Sequence, residues 1–521
     1  MTSVPMRAIP LPPNTETEVL VRPLPHGRGS VHRGLHRTAR VSKRIPPAIW
    51  TLLALASASA ADLERNIDAL LKANPAGGFA GIRVVEVATG KTLYARDDDR
   101  LFLPASNLKI LTSALALERL AANYRFTTRV AREASGDVAL LGSGDPSLSG
   151  RAFPYQKDGR AGPPLAAIED LAEQIAARGI RRIDGNIVGD DRLYPWDPYP
   201  PSWTQDDATR DYGAAVSALT VNDNVVTVSI APGAHSGDAA IISLSPALEY
   251  LTFDNRVITT ARRSDANLRA QRVPGSREWL LTGNIPAGHA AIAEVVPVDD
   301  PALFAATALY DALTRRGIAI RGGPVARHRS MGEVYAAVEG DEIASRVSPP
   351  LGDLLQVMDK VSQNLHAELI LREAGRAGAR QEGTTEAGLA ELRAYLTEAG
   401  ATPGDWRLED GSGLSRNALV TPRLLTHILV RMAQSKDKDA WISLLPAGGE
   451  DGTLSRRLCC LSQGRGVRAK TGSLSRALTL SGYADSATHG QLAFSILVND
   501  FSAPPAEVRQ WIDKIATALL E

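Results

Sequence analysis

The stretch Ser106-Asn107-Leu108-Lys109, at the head of Ser106–Leu120 (SNLKILTSALALERL), decides how this chain is read. Its strongly apolar character marks a buried helix entered just after Pro104-Ala105. A serine and a lysine three apart share one helical face, so the ammonium group can reach the hydroxyl. Ser106 stands at the helix start, where backbone N–H groups and the helix dipole favour developing negative charge. A buried lysine with a depressed pKa can take the proton of such a serine. Read alone, Ser106 is better explained as a helix N-cap. The same spacing recurs at Ser435–Lys438 (SKDK), in a charged surface run with no apolar helix behind it.

Two further elements follow in a telling order. Ser362-Gln363-Asn364 precedes a helix starting at Leu365 and offers a hydroxyl to relay a proton and an amide to hold a substrate carbonyl. Ser415-Arg416-Asn417 has the same form, and helix capping explains either. Lys470-Thr471-Gly472 lies on the approach to a buried strand pair. A cation and a hydroxyl there can bind a carboxylate, and the glycine permits close approach of an extended peptide to the strand. Its plain alternative is a surface turn. Each element is weak singly; S-x-x-K, S-x-N and K-T-G in this order are a strong sign of acyl transfer to serine.

Composition narrows the field. The 521 residues carry 58 Lys+Arg against 58 Asp+Glu, a balance that excludes a dedicated nucleic-acid binder. The length implies two or three domains. Two adjacent cysteines, Cys459 and Cys460, exclude a disulfide scaffold and a cysteine-rich zinc site, and read as two thiols. No histidine pair has H-E-x-x-H spacing, no G-x-S-x-G elbow occurs, and Gly90-Lys91-Thr92 lacks the earlier glycine of a phosphate loop. Residues 1–40, rich in Pro, Arg and His, have no period and read as a disordered or untranslated extension. Residues 41–60 read as a signal peptide: Lys43 and Arg44, the apolar run Ala48–Ala56, then the small-residue site Ala58-Ser59-Ala60. The mature chain is expected to begin near Ala61, exported to the periplasm and without a stable membrane span.

Along the mature chain a helix is expected over Asp62–Lys72, strands over Ile82–Val87 and Thr92–Ala95, then the Ser106 helix. Between 126 and 329 short β-type runs dominate, with helical patterns only near Leu165–Arg178 and Ala302–Arg316. This reads as an inserted region, strand-rich and divided into two subdomains. Helices return at Leu351–Lys360, Asn364–Ala374, Glu386–Ala399 and Thr421–Gln434. Strands Ala477–Tyr483 and Leu492–Val498 and the amphipathic helix Pro505–Leu520 close the chain.

With the three motifs on residues 62–521, the chain resembles the class C, low-molecular-mass penicillin-binding proteins, the D-alanyl-D-alanine carboxypeptidase/endopeptidase family. The likeness includes Gly142-Ser143-Gly144-Asp145-Pro146, Tyr212-Gly213-Ala214, Ser348-Pro349-Pro350-Leu351, Asp410–Arg416 and Asp451-Gly452-Thr453-Leu454. The 256-residue gap from Ser106 to Ser362 is the family's mark, since a compact β-lactamase has far less chain there. The resemblance implies an α+β fold of the penicillin-binding/serine β-lactamase type. In it, residues 62–125 plus 330–521 form a helix-flanked antiparallel sheet, and 126–329 are the insertion. It implies Ser106 as acylated nucleophile, Lys109 as its base, Ser362 as proton relay, Asn364 as orienter of the donor chain, and Lys470 and Thr471 as holders of a terminal carboxylate. The N–H groups of Ser106 and Ser473 would form an oxyanion hole beside Gly472. Arg416, faced by Asp207, would hold the free end of a diaminopimelate side chain. Peptidoglycan stem peptides are the implied substrates and β-lactams the implied inhibitors, with no metal and no cofactor. A β-lactamase and a non-catalytic cell-wall binding or sensor protein are the competing readings.

Overall fold

The computed structural model describes residues 62–521 except 76, 158–161, 274–275, 379–381 and 460–465. The expected signal peptide, the extension before it and Cys460 lie outside the described residues.

One antiparallel sheet organises the part of the chain that carries Ser106 and Lys470. Its strand order is Val467–Leu474, Ala477–Ser486, Gly490–Asn499, Phe79–Glu86, Thr92–Arg96. Alternation along each strand gives the sheet two apolar faces. On Gly490–Asn499, Leu492, Phe494, Ile496 and Val498 pack with Ile67, Trp511, Ile512 and Ile515 of the first and last helices, residues 62–72 and Pro505–Ala518. Ala493 and Leu497 turn the other way, onto Leu425, Ile428 and Leu429 of the helix Pro422–Ala433. The amphipathic last helix is thus seated on the sheet, as its sparse cationic face suggested.

Behind Pro422–Ala433 lies the helix Lys109–Leu120, ten of whose twelve residues are buried. A helix apolar all round belongs in the middle of a core. Asn364–Ala377 and Thr385–Glu398 pack against it.

The inserted region is built on a five-stranded mixed sheet in the order Pro324–Arg327, Ile187–Asp190, Val138–Leu141, Thr127–Arg132, Asp341–Val347. Helices Ala166–Ala177 and Pro301–Arg315 join its core, and two three-stranded sheets complete it. A single buried cluster threads all three sheets, from Val130 through Val228 to Trp279. Because Asp341–Val347 pairs with Thr127–Arg132, the insertion's sheet runs past the boundary expected at 329 and 330. The two crossings are pinned together: Ser348 N donates to Phe126 O and Phe126 N to Ser348 Oγ, both at 2.9 Å. Polar one-sided strands such as TTRVAR and DEIASRV carried too little apolar signal to be seen in the sequence.

One buried polar knot ties the catalytic layers. Trp441 Nε1 donates to Tyr483 Oη at 2.8 Å, and Tyr483 Oη donates to Leu429 O at 2.6 Å, joining the central sheet to two helices. Tyr483→Phe removes the hydroxyl and leaves a buried indole N–H unsatisfied, which costs about 1–3 kcal/mol. Thermal unfolding should show that loss, while the rate at which Ser106 reacts should stay within about twofold of wild type because no catalytic contact is touched.

Candidate active site

The nucleophile candidate sits on a 3-10 turn, Ala105–Leu108, that runs into the helix Lys109–Leu120. Neither element is capped by a side chain, so Ser106 is not spent as an N-cap. Ala105 takes φ +46°, a left-handed conformation that residues other than glycine adopt only under restraint. The restraint is visible. Thr479 Oγ1 lies 2.9 Å from both Pro104 O and Asn107 Oδ1, and Asn107 Nδ2 donates to Ser481 Oγ at 2.6 Å, bolting the turn to the second strand of the sheet. A Cβ on Gly472 would stand 2.2 Å from Thr479 Oγ1 and 2.8 Å from Pro104 O. The glycine of Lys470-Thr471-Gly472 therefore lets the edge strand lie against the nucleophile's turn, a role the sequence reading had given to substrate approach.

Lys109 is fully buried, and its Nζ has three partners: Ser106 Oγ at 3.1 Å, Asn364 Oδ1 at 2.7 Å and Ser412 O at 2.8 Å. Burial, and then the charge of Lys470, lower its pKa from 10.5 to about 7. Lys470, also fully buried, donates to Ser362 Oγ at 2.8 Å and Thr471 O at 3.0 Å, and burial lowers its pKa to about 8. Far from a surface turn, Lys470 lies inside the edge strand Val467–Leu474.

The second element resolves its own alternative. Gln363, not Ser362, caps the helix Asn364–Ala377 by accepting from Leu365 N at 3.2 Å. Ser362, at φ +63°, is left with its hydroxyl on Lys470. Asn364 Nδ2 donates to Tyr212 O at 2.9 Å, so both ends of the amide are engaged. Thr471 Oγ1 meets Thr453 Oγ1 at 2.8 Å, and Ser473 is exposed two residues further along the strand. Arg416, with 43% of its side chain exposed, donates to Asp207 Oδ2 at 3.0 Å. Burial works to raise the Asp207 carboxyl, but the Thr204 hydroxyl and amide and then Arg416 outweigh it and hold it below the ordinary carboxylate range. The look-alikes stand apart. Ser435 Oγ donates to Met432 O at the end of Pro422–Ala433, and Ser415 Oγ accepts from Asn417 N in a turn.

Three participants had no signal of their own in the sequence. The Ser412 carbonyl is backbone, and its place depends on Glu368, whose buried carboxylate accepts from Gly411 N and Ser412 N at 2.9–3.1 Å. The Tyr212 carbonyl is backbone too. Asp359, on the helix Leu351–Lys360, accepts from Ser113 Oγ at 2.7 Å. Burial lifts its pKa to about 6 against the pull of Lys470, Ser113 and Lys109. An acid on the apolar face of that helix was the one available clue.

Around Ser106 the chain thus gathers a hydroxyl, an amine able to become neutral near pH 7, a second cation with its own hydroxyl, and an exposed strand edge. Among the described residues no cluster of His, Cys, Asp and Glu could hold a metal ion.

A family model described as D-Ala-D-Ala carboxypeptidase 3 (S13) matches residues 63–519. A D-alanyl-D-alanine carboxypeptidase of an Actinomadura species is 35% identical over 519 residues, covering 94% of this chain and 91% of the relative. The D-alanyl-D-alanine carboxypeptidase DacB of Haemophilus influenzae is 22% identical over 451 residues, covering 85% and 90%. The crystal structure of penicillin binding protein 4 from H. influenzae superposes with a TM-score of 0.74 at 22% identity, over 87% of this chain and 98% of that one. The last of these carries the fold; the family match and the Actinomadura relative carry the class of chemistry. This chain belongs to the D-Ala-D-Ala carboxypeptidase 3 (S13) family and is a serine-type DD-peptidase.

Proposed function

We propose that this protein hydrolyses the D-Ala–D-Ala bond of peptidoglycan stem peptides, and the D-Ala–diaminopimelate bond of their cross-links, through an acyl-enzyme on Ser106. One observation carries the mechanism. A neutral amine has two hydrogens to donate and one lone pair. At Lys109 two of the three neighbours, Asn364 Oδ1 and Ser412 O, can only accept. Both hydrogens go to them, and the lone pair is left facing the Ser106 hydroxyl. Lys109 then takes the proton as Ser106 Oγ attacks the carbonyl of the penultimate D-Ala. The N–H groups of Ser106 and Ser473 receive the oxyanion. As the C–N bond breaks, Ser362 passes its proton to the departing amine and is resupplied by Lys470. Water later attacks the ester, its proton passing through Ser362 to the now neutral Lys470, while Lys109 returns its proton to Ser106 Oγ as the ester bond breaks, which frees the serine and resets both lysines. Lys470 and Thr471 hold the carboxylate of the departing residue.

A β-lactam presents the same amide and carboxylate, so penicillin should acylate Ser106. Its amine stays tethered, which retards hydrolysis. The large insertion and the family match favour a peptidase over a β-lactamase. The basic, apolar, small-residue order of residues 43–60 supports a periplasmic location. Among the described residues no helix is long and apolar enough to cross a membrane.

Ser106→Ala should abolish labelling by fluorescent penicillin and leave the unfolding temperature within a few degrees of wild type, because no cap is lost. Normal labelling of that variant would overturn the reading. A label that hydrolyses within seconds in the wild type would favour the β-lactamase.

The two lysines set the pH profile. Acylation should climb as pH rises through about 7, where Lys109 becomes neutral, and fall above about 8, where Lys470 loses its charge. The Asp359 carboxylate raises both lysines. Asp359→Asn removes that stabilisation of the charged forms, so both limbs should move to lower pH. Stopped-flow acylation from pH 5 to about 10 reads both shifts.

Arg416 tests recognition apart from reaction. Penicillin is too small to reach it, whereas a stem peptide carries a charged diaminopimelate end further out. Arg416→Ala should slow cleavage of diaminopimelate peptides about ten- to a hundredfold, the loss of one charge-assisted contact. It should spare penicillin acylation and a peptide whose third residue ends uncharged. Equal loss in all three would make Arg416 a prop for buried Asp207 instead.

A further inference from the structure

The edge strand that carries Lys470 has a second wet wall. Outward from Thr471 a cavity of about 390 Å³ opens between that strand, the turn at Thr453–Arg457 and the last helix. Three arginines line it, Arg456, Arg457 and Arg509, together with the hydroxyls of Thr453, Ser455 and Thr471, and no acidic side chain does. Asp513 takes up Arg457, with oxygens 2.6 and 3.2 Å from its guanidinium. The guanidinium groups of Arg456 and Arg509 have no hydrogen-bond or ion-pair partner among the described residues. Guanidinium groups converging on a cavity with no facing carboxylate make a field that attracts anions.

We propose that this cavity is the subsite for the leaving half of a cross-linked substrate, with Arg456 and Arg509 holding carboxylates of the second stem peptide. The inference rests on the functional reading above and extends it to the choice of bond. At a D-Ala–D-Ala end the departing group is one amino acid, whose carboxylate ends at Thr471. In a cross-link the departing amine belongs to a diaminopimelate residue that carries a further peptide with acidic groups of its own. That peptide must continue outward past Thr471, and the arginine-lined cavity begins there. The cavity's wall includes Thr471, Gly472 and Ser473, so it shares with the site the strand edge along which a substrate would lie. Arg457 is a positioning residue: its pairing with Asp513 ties the turn to the last helix.

The test is the double variant Arg456→Gln/Arg509→Gln, measured on three reactions: hydrolysis of a purified cross-linked muropeptide dimer, release of D-Ala from the uncross-linked pentapeptide, and penicillin acylation. Dimer kcat/KM should fall about ten- to a hundredfold, as for the loss of one or two charge-assisted contacts. The other two rates should stay within about twofold. Arg456→Lys/Arg509→Lys should restore part of the dimer rate, because the charge returns without the fork. An unchanged dimer rate, or an equal fall in dimer and pentapeptide hydrolysis, overturns the assignment; the second result would give the arginines to the terminal carboxylate. Wild-type protein that binds penicillin and trims the pentapeptide but leaves the dimer intact overturns this inference together with the cross-link half of the functional reading, and leaves hydrolysis of the D-Ala–D-Ala bond through Ser106 standing. Wild-type protein that does none of the three overturns the functional reading and this inference with it.

Discussion

Two lysine amines are buried near enough for the charge of one to lower the pKa of the other, each on its own serine hydroxyl, and the rest of the site is arranged around that fact. A buried cation without a carboxylate in contact is expensive, and two near each other more so. Neither Lys109 nor Lys470 forms a direct ion pair among the described residues. Their partners are neutral dipoles: an amide oxygen, two backbone carbonyls and two serine hydroxyls. The counter-charge that both lysines feel, Asp359, stands behind them on Ser113, and at Lys109 Asp410 and Glu368 add to it, so the field is moderated without being quenched. The outcome is two lysines poised on either side of pH 7.5, when contact with a carboxylate would have fixed both as permanent cations.

Neutral partners stabilise a cation only if they are aimed, and the aiming reaches far from Ser106. The Ser412 carbonyl is set by Glu368 from below and by Asp410, which accepts from Gly413 N, Ser415 N and Ser412 Oγ. The Asn364 amide is set by Tyr212 O, which belongs to the insertion. The insertion also grips the same helix through Asp223 on His366 at 3.0 Å and the Asp197 carbonyl on Arg372 at 2.6 Å, and it reaches the Asp410 loop through Trp203 Nε1 at 3.0 Å. It therefore acts on the chemistry through Asn364 and Asp410. Chain far from Ser106 in sequence decides where the base's hydrogens point.

What was legible in the sequence follows from this arrangement. Ser106 and Lys109 could be read because their three-residue spacing on an apolar helix is itself the geometry. Ser362 and Lys470 could be read because their motifs recur in a fixed order. The Ser412 and Tyr212 carbonyls could not, because a backbone atom has no residue type. The contact of Gly472 with the Pro104-Ala105 turn could not be read because that neighbour, which excludes a Cβ, is some 370 positions away. The insertion's outer limit was misplaced because Asp341–Val347 has only two fully buried residues, too few to mark a strand. Long helices and apolar central strands were found within a few residues of their ends, where burial dictates composition on both sides of the element.

The two lysines show that residue type does not decide role here. Lys109 spends its donors on acceptors that cannot give a proton back, so losing its own proton leaves a lone pair with one direction to face. Lys470 faces a hydroxyl that both gives and accepts, so it can pass a proton along through Ser362. Exchanging the roles would need a different set of neighbours, because both side chains are equally buried and their pKa values differ by only about one unit. The strained backbone at Ala105 and Ser362 has the same logic. Each φ, +46° and +63°, accompanies a serine hydroxyl bonded to its own lysine. At Ala105 the packing is closed on two sides, since a Cβ on Gly413 would stand 1.9 Å from the Ala105 carbonyl and one on Gly472 3.0 Å from the Ala105 Cβ. A larger residue at either glycine would push that turn and carry Ser106 off the lone pair of Lys109, so the nucleophile's aim depends on two side chains that are absent.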